Sequence, residues 1–264
     1  MKLAAACLHF GEEPPITGEG GSGAIFISGC NLRCVFCQNH QISHKGMGRT
    51  VSKNEFADIC LRLQNAGAEN INIVTGSHVI PAVKEGMEAG RAKGLHIPLY
   101  WNSSAYEAAQ DVEMIDTFAN GYLPDLKTLD INIAKTFFNA PDYPDTAKAA
   151  IKAMIKSGKP VIVRHLVLPG FLDASKDVLQ WIACNASDNV QVSLMTQYTP
   201  LPGGPSRFLN DAEYDQLLKW IDLYGIDGYY QEKETGDDWL PDFANPKPFS
   251  SDLCKMLWHW KEAG

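Results

Sequence analysis

The sequence has no long apolar run and no excess of positive charge. No stretch reaches the roughly 18 apolar residues that a membrane-spanning helix needs, and the N-terminus lacks the charged and long apolar segments of a secretory signal. The 23 Lys and Arg against 31 Asp and Glu give a formal net charge of −8, which argues against non-specific binding to nucleic acid or anionic membrane. We therefore expect a cytoplasmic protein without membrane or nucleic-acid partners.

A disulfide framework is also missing. The seven cysteines are an odd number, and four of them, Cys7, Cys60, Cys184 and Cys254, are scattered along the chain. Such thiols are typical of a reducing compartment, where they stay reduced and mostly buried. The 264 residues, 45% hydrophobic and 20% charged, fit one globular domain with a substantial core. We expect this domain to comprise a leader (1–23), a core (24–231) and a tail (232–264).

The other three cysteines lie together in one loop. Cys30, Cys34 and Cys37 follow a short apolar run, which predicts a buried strand ending directly before them. Their spacing lets one tight loop turn three thiolates toward an iron–sulfur cluster. A four-iron cluster held by three cysteines would keep one iron open to a small molecule, like the open position of a catalytic metal site. The alternatives are a Cys3His zinc site completed by His40 or His44, and cysteines that only pack in the core.

Apolar runs alternate with helical patterns along the rest of the chain. The glycine- and proline-rich segment 11–23 argues against a helix or central strand there. Beyond the cysteine loop, the patterns predict helices at 52–65, 79–93, 105–118, 146–157, 175–183 and 210–224, and strands at 71–74, 97–101, 121–124, 161–167, 190–195 and 228–231.

This alternation predicts an α/β fold of parallel strands joined by right-handed crossovers. Six such units after the strand that precedes the three cysteines fit an open (β/α)6 barrel. A doubly wound sheet is the alternative. In either fold the ligand site lies at the carboxyl ends of the strands. The tail carries Trp239, Trp258 and Trp260 between prolines. We expect it to be irregular and to wrap the domain, with a lid or a partner surface as the alternative.

Charged side chains occur near the ends of two predicted strands. Asp125 and Lys127 alternate around Leu126, so both point to one side of the strand, and Arg164 lies in an otherwise apolar strand. An unpaired charge inside a barrel is strongly unfavourable. We therefore expect a carboxylate or phosphate partner for Lys127 and Arg164, with a structural pair between Arg164 and Asp125 as the alternative.

Nearly the whole chain resembles the radical S-adenosylmethionine (SAM) superfamily, in particular its pyruvate formate-lyase activating enzyme-like group. The resemblance is carried by segments 8–15, 29–43, 124–127, 140–143, 164–170 and 194–198. It implies a partial TIM-like barrel with a 4Fe-4S cluster on Cys30, Cys34 and Cys37, whose fourth iron is chelated by SAM. The implied activity is reductive cleavage of SAM to a 5′-deoxyadenosyl radical that abstracts hydrogen from a substrate.

The resemblance also implies which residues meet SAM. Gly76 and Ser77 occupy the place of a Gly-Gly-Glu segment that receives the SAM ammonium, although the carboxylate is absent. Asn102 and Ser103 occupy the place of an Asp-Thr-Asn segment that binds the ribose, with loss of the charge. The monovalent cation site of activating enzymes is therefore in question.

Four further site residues follow from the same resemblance. Lys127 would meet the SAM carboxylate, Arg164 a carboxylate of SAM or substrate, and Gln197 the adenine or ribose, while Asn39 joins the cofactor-binding residues. An electron donor such as flavodoxin or ferredoxin is the implied partner. The target is either a glycyl radical enzyme or a small molecule or peptide. A hypothesis from another class is a non-catalytic zinc- or cluster-binding protein.

Overall fold

The computed structural model describes residues 1–185, 187–232, 240–250 and 253–262. Its strands are β1 (Lys2–His9), β2 (Ser22–Ile27), β3 (Arg49–Thr50), β4 (Asn70–Val74), β5 (Leu99–Ser103), β6 (Gly121–Pro124), β7 (Val161–Leu166), β8 (Val190–Met195), β9 (Gly228–Tyr230) and β10 (Cys254–His259). Its helices are α1 (Pro14–Thr17), α2 (His40–Ser43), α3 (Lys53–Asn65), α4 (Ile80–Ala92), α5 (Ala109–Asp116), α6 (Ile131–Ile133, continued by a π-helix over Ala134–Phe138), α7 (Tyr143–Lys156), α8 (Leu172–Cys184) and α9 (Asp211–Tyr224).

The described strands form one sheet in the order β10-β1-β2-β4-β5-β6-β7-β8-β9, with β3 also paired to β1. From β2 to β9 every neighbouring pair on this path is parallel. A doubly wound sheet would reverse its strand order at a switch point, whereas these strands follow one another in chain order. The open α/β barrel is therefore confirmed, and the sheet is not closed.

Local sequence explains most element boundaries. Helix α3 begins after Ser52, whose side chain accepts a hydrogen bond from the N–H of Glu55 at 3.2 Å, as expected of an N-cap. The predicted strand at 97–101 begins only at Leu99, because Pro98 has no N–H to donate to a neighbouring strand. The helix predicted at 105–118 is shorter, because Ala105 has a left-handed φ of 56°.

The two ends of the chain differ from the prediction. Residues 2–9 are not part of a separate leader but form β1, which is antiparallel to both β2 and β10. Segment 11–23, where we predicted no helix, contains the one-turn α1. This helix has a proline at its start, where the missing N–H has no effect. The tail contains a regular strand, β10, and Trp258 on it is buried. Trp239 lies outside the described residues.

The inward-facing positions of the sheet carry polar and charged side chains above a small apolar plug. Ile16, Leu123 and Ile162 form this plug, while Asn72 and Arg164 lie buried on β4 and β7. The outward-facing apolar residues pack against the helices in the main core. In the described parts of the chain, no helix is long and apolar enough to cross a membrane.

Candidate active site

The three clustered cysteines lie in the loop that follows the carboxyl end of β2. Cys30, Cys34 and Cys37 all line one cavity of about 270 Å³, and their thiols are free. The Sγ of Cys30 accepts a hydrogen bond from the N–H of Leu32 at 3.3 Å, and the Sγ of Cys37 lies 3.3 Å from the hydroxyl of Ser43. Hydrogen bonds to the sulfurs are one of the means by which proteins tune iron–sulfur clusters.

The chemistry of the donor set, three free thiols that line one cavity, fits an iron–sulfur cluster. Burial raises the pKa of Cys30, and it raises the pKa of Cys34 to about 12. Without a metal these two thiols therefore stay protonated at neutral pH, and binding of iron would displace their protons. His40 and His44, the histidines of the zinc alternative, are not among the residues that line this cavity.

Aromatic packing holds the cysteine loop in place. The ring of Phe36 packs edge-on against Phe137, Phe138 and Tyr198, with ring centroids 5.8, 5.9 and 5.5 Å apart. Two backbone N–H groups of the loop donate to the carbonyls of Phe138 and Phe137 at 3.3 and 2.8 Å. The two phenylalanines belong to the π-helical part of α6, a structure that is frequent at functional sites.

The structure brings most of the predicted site residues to this cavity. Besides the cysteines they come from the segment after the loop and from the carboxyl ends of β5 to β8: Asn39, Asn102, Ser103, Lys127, Arg164 and Gln197.

Gly76 and Ser77 are not among the residues that line the cavity. A Cβ on Gly76 would lie 2.6 Å from Cη2 of Trp101, and the hydroxyl of Ser77 donates to Oε1 of Glu107 at 2.6 Å. Thr75 lines the cavity instead. The structure therefore does not support direct contact of Gly76 and Ser77 with SAM, because packing and this hydrogen bond engage them elsewhere.

Glu107 joins the loops that follow β4 and β5. The residue is 3% exposed, accepts hydrogen bonds from Ser77 and from Nε1 of Trp101 at 3.1 Å, and its Oε2 has no partner among the described residues. Burial raises the pKa of its carboxyl. The same loops contain Thr75 and Ala105, with φ of 61° and 56°, a conformation uncommon outside glycine. Sequence reasoning missed Glu107, because no motif marks it.

Lys127 and Asp125 form an ion pair on the cavity wall. The Nζ of Lys127 lies 2.6 Å from Oδ2 of Asp125, so the two side chains point the same way, as predicted, although both residues follow the end of β6 at Pro124. The hydroxyl of Tyr143 accepts from the N–H of Lys127 at 3.0 Å and donates to the carbonyl of Asp125 at 2.6 Å. Burial alone would lower the pKa of Lys127, but the Asp125 carboxylate raises it above its usual value. Lys127 is therefore charged.

Arg164 binds two carboxylates of this chain. Its Nε donates to Oε1 of Glu13 at 2.9 Å, and its Nη2 donates to Oε2 of both Glu12 and Glu13 at 2.5 Å. The expectation that Arg164 needs a ligand carboxylate or Asp125 as its partner was therefore wrong. Burial alone would lower the pKa of Arg164, but the two carboxylates raise it. Sequence reasoning missed the role of Glu12 and Glu13, although both lie in segment 8–15, which carries the family resemblance.

A second cavity of about 510 Å³ adjoins the first. The two cavities share seven lining residues: Gln38, Asn39, Val74, Asn102, Arg164, Met195 and Gln197. The second cavity is also lined by His9, Glu12 and Glu13, by Tyr229 of β9 and by Phe249 near the C-terminus. A cavity of about 800 Å³ lies at the amino ends of the strands, opposite to the end where α/β sheets bind ligands.

The open α/β barrel and the cavity with three cysteines define a class of protein. The comparison with known families identifies the same class. The family model of the radical SAM superfamily matches residues 24–182. The chain belongs to this superfamily and is therefore an enzyme that uses a 4Fe-4S cluster and SAM.

Among individual proteins, an uncharacterised protein of Methanocaldococcus jannaschii is 28% identical over 239 residues, covering 84% of this chain and 68% of that protein. A radical SAM methyltransferase from Sphaerobacter thermophilus has a TM-score of 0.61 at 13% identity, over 81% of this chain and 67% of that one. SAM-bound SuiB of Streptococcus suis has a TM-score of 0.55 at 14% identity, over 79% and 49%. The chain thus spans about half the length of SuiB. These two likenesses concern the fold alone.

Proposed function

We propose that this enzyme abstracts a hydrogen atom from a small polar molecule, or from one side chain of a peptide, held in the second cavity. When bound, the cluster and SAM supply the electron transfer and the 5′-deoxyadenosyl radical for this chemistry. The observation that carries the proposal is the wall of seven residues shared by the cysteine-lined cavity and the cavity of about 510 Å³. A ligand in one cavity is thus adjacent to a ligand in the other.

The roles on the SAM side follow from charge and position. Cys30, Cys34 and Cys37 would hold the cluster, and a cluster with only three protein ligands would keep one iron available to SAM. Lys127, kept charged by Asp125 at 2.6 Å, neutralises the SAM carboxylate.

The remaining polar groups of the shared wall bind uncharged parts of SAM and mark the boundary to the substrate. Asn39, Asn102 and Gln197 each offer an amide that donates and accepts hydrogen bonds. Ser103, which lines only the cysteine cavity, offers a hydroxyl. Arg164 lines both cavities. Since Glu12 and Glu13 fix its guanidinium, Arg164 is a rigid part of this wall.

The charge of the second cavity favours a neutral or cationic substrate. Glu12 and Glu13 outnumber Arg164 by one charge, and His9 adds none near pH 7, because burial lowers its pKa. Amides of Gln38 and Gln231 and the phenols of β9 supply further hydrogen-bonding groups. An anionic substrate would be repelled by the excess negative charge.

A glycyl radical enzyme is the alternative target. Its backbone loop would have to enter the second cavity, which is lined by the segment after β1 and by Phe249. The volume of about 510 Å³ falls within the range of about 300 to 1,000 Å³ that small-molecule pockets occupy. The size therefore supports the small substrate.

The first experiment measures SAM cleavage. We expect the anaerobically reconstituted, dithionite-reduced protein to release 5′-deoxyadenosine slowly without substrate, detected by liquid chromatography. Cys34→Ala should lose iron and this activity, whereas Cys184→Ala, at an exposed cysteine, should keep both. A fully loaded, reduced protein that releases no 5′-deoxyadenosine would contradict the proposal.

The second experiment tests the substrate class with a panel of candidate compounds. Amines, neutral amides and carboxylic acids of matched size are added singly, and stimulated 5′-deoxyadenosine release is measured. We expect stimulation by amines or neutral amides, and a weaker preference for amines in Glu12→Gln. Stimulation by carboxylic acids alone, or only by a glycyl radical enzyme, would overturn the assignment of the second cavity.

A further inference from the structure

We propose that Lys2, Arg33 and Lys45, named here the basic patch, form the docking surface for an acidic one-electron donor protein that reduces the cluster. All three residues are exposed. They lie on a chain with a net charge of −8, and none of them takes part in an ion pair with another described residue. The inference uses the superfamily's need for an electron and is independent of the substrate.

The three cations surround one short stretch of backbone, residues 43–46. The Nη1 of Arg33 donates to the carbonyl of Ser43 at 3.1 Å, and the Nζ of Lys2 donates to the carbonyl of Gly46. Lys45 lies between these two acceptors in the sequence. The two hydrogen bonds bring Lys2 and Arg33 to the same short loop as Lys45. The three charges therefore act on one region of the surface.

The basic patch is one residue away from a cluster ligand. The hydroxyl of Ser43 lies 3.3 Å from the Sγ of Cys37, and its carbonyl accepts the hydrogen bond from Arg33. The patch residues line neither of the two cavities assigned to SAM and substrate. A protein bound to the patch would therefore approach the cluster from outside without blocking either cavity.

The charge of the patch specifies the chemistry of the partner. Fixed cations attract a protein with carboxylates around its redox group, over the Debye length of about 8 Å at physiological salt, and such attraction mainly raises the association rate. In the reaction itself the donor's reduced group loses one electron and the cluster gains one, and no bond forms or breaks. Small acidic electron carriers such as flavodoxins have the required chemistry.

The test measures binding directly, apart from catalysis. The dissociation constant for an acidic flavodoxin is determined by calorimetry for the wild-type protein and for Lys45→Glu and Arg33→Gln/Lys45→Glu. We expect a weakening of about fivefold for Lys45→Glu, which retains the bond between Arg33 and Ser43, and of more than tenfold for the double variant. Raising the salt concentration should weaken wild-type binding and reduce the difference between the variants.

The control removes at least as much positive charge elsewhere on the surface. Lys156→Glu/Lys219→Glu changes two exposed lysines of α7 and α9 and should bind flavodoxin within twofold of wild type. Cluster reduction by flavodoxin, followed by absorbance, should slow in the patch variants, while reduction by dithionite should not. Equal binding by Lys45→Glu, the double variant and wild type would overturn the proposal. An equally large loss of flavodoxin binding in the control variant would also overturn it. A protein that binds flavodoxin through the patch yet cleaves no SAM would contradict only the proposed function.

Discussion

Arg164, Glu12 and Glu13 place three charges inside the barrel, where the exposed fraction of the Arg164 side chain is 8% and that of Glu13 is 6%. Removing one partner of a buried pair leaves the other charge desolvated, which is usually far more destabilising than never having had the pair. The same applies to Lys127, whose partner Asp125 lies 2.6 Å away. Any substitution at these residues must therefore be judged by stability as well as by ligand affinity.

We expect Arg164→Met to lower the free energy of unfolding by about 3 kcal/mol at neutral pH, because it leaves Glu12 and Glu13 without their cation. Burial alone would raise the pKa of Glu13, but Arg164 outweighs it and lowers the pKa below its usual value. A lowered folded-state pKa gives stability that is present above the usual pKa and lost as pH falls through the folded value. Urea unfolding followed from pH 7 to about pH 3, below the usual pKa of a glutamate carboxyl, should therefore show a shrinking difference between variant and wild type.

Two controls separate this role from ligand binding. Arg164→Met/Glu13→Gln should recover part of the lost stability, since one buried charge is removed with its partner. Lys127→Met should weaken SAM binding by more than about tenfold, the scale of one charge-assisted hydrogen bond, with iron content unchanged. A constant stability loss for Arg164→Met across this pH range would show that Glu13 is not its energetic partner.

The loops after β4 and β5 form one structural unit, because the buried carboxylate of Glu107 connects them. Glu107 accepts hydrogen bonds from Ser77 in the first loop and from Trp101 on β5. The backbone N–H of Thr75 also donates to the carbonyl of Asn102 at 2.9 Å. Since Thr75 and Asn102 both line the cysteine cavity, Glu107 acts on the cavity by fixing the loops and is a positioning residue.

We expect Glu107→Ala to weaken SAM binding by about tenfold, because two hydrogen bonds worth about 1 kcal/mol each no longer hold the loops. Glu107→Gln, which keeps an acceptor oxygen, should have a smaller effect. The matched control is Glu113→Gln on α5, an exposed carboxylate that does not line the cavity. Calorimetry on cluster-loaded protein measures the affinity, and unchanged affinity in Glu107→Ala with iron content intact would contradict the positioning role.

On the scale of the whole molecule, the two chain ends build one side of the barrel. Strand β1 is antiparallel to β2 and β10, and its last residue, His9, lines the second cavity together with Phe249. Trp258 on β10 is 7% exposed and packs into the main core. The terminal strand is therefore part of the fold that supports the second cavity.

We expect Trp258→Ala to lower the free energy of unfolding by about 3 to 5 kcal/mol, the usual effect of truncating a buried aromatic side chain. Leu223→Ala, at a residue that is 73% exposed on α9, should change it by less than about 0.5 kcal/mol. Urea unfolding followed by circular dichroism measures both variants. An unfolding free energy close to wild type for Trp258→Ala would indicate that β10 contributes little to the stability of the domain.

Local patterns in the sequence determined the cysteine loop, the alternation of strands and helices and the carboxyl ends at which the cavity lies. These features depend on neighbouring residues and on periods of a few residues, so a single sequence contains them. The sequence also determined that the side chains of Asp125 and Lys127 point the same way, because side chains of an extended segment alternate.

Only the tertiary structure decided which charges are partners and what the chain ends do. Glu13 lies 151 residues from Arg164, and β10 pairs with a strand at the opposite end of the chain. The small residues of β1 and the Gly/Pro-rich segment before β2 carry a weak local preference, so packing against the sheet decides their structure. Glu107 likewise acquires its role through burial beside Trp101 and Ser77, because free energies of desolvation and pairing depend on neighbours in space.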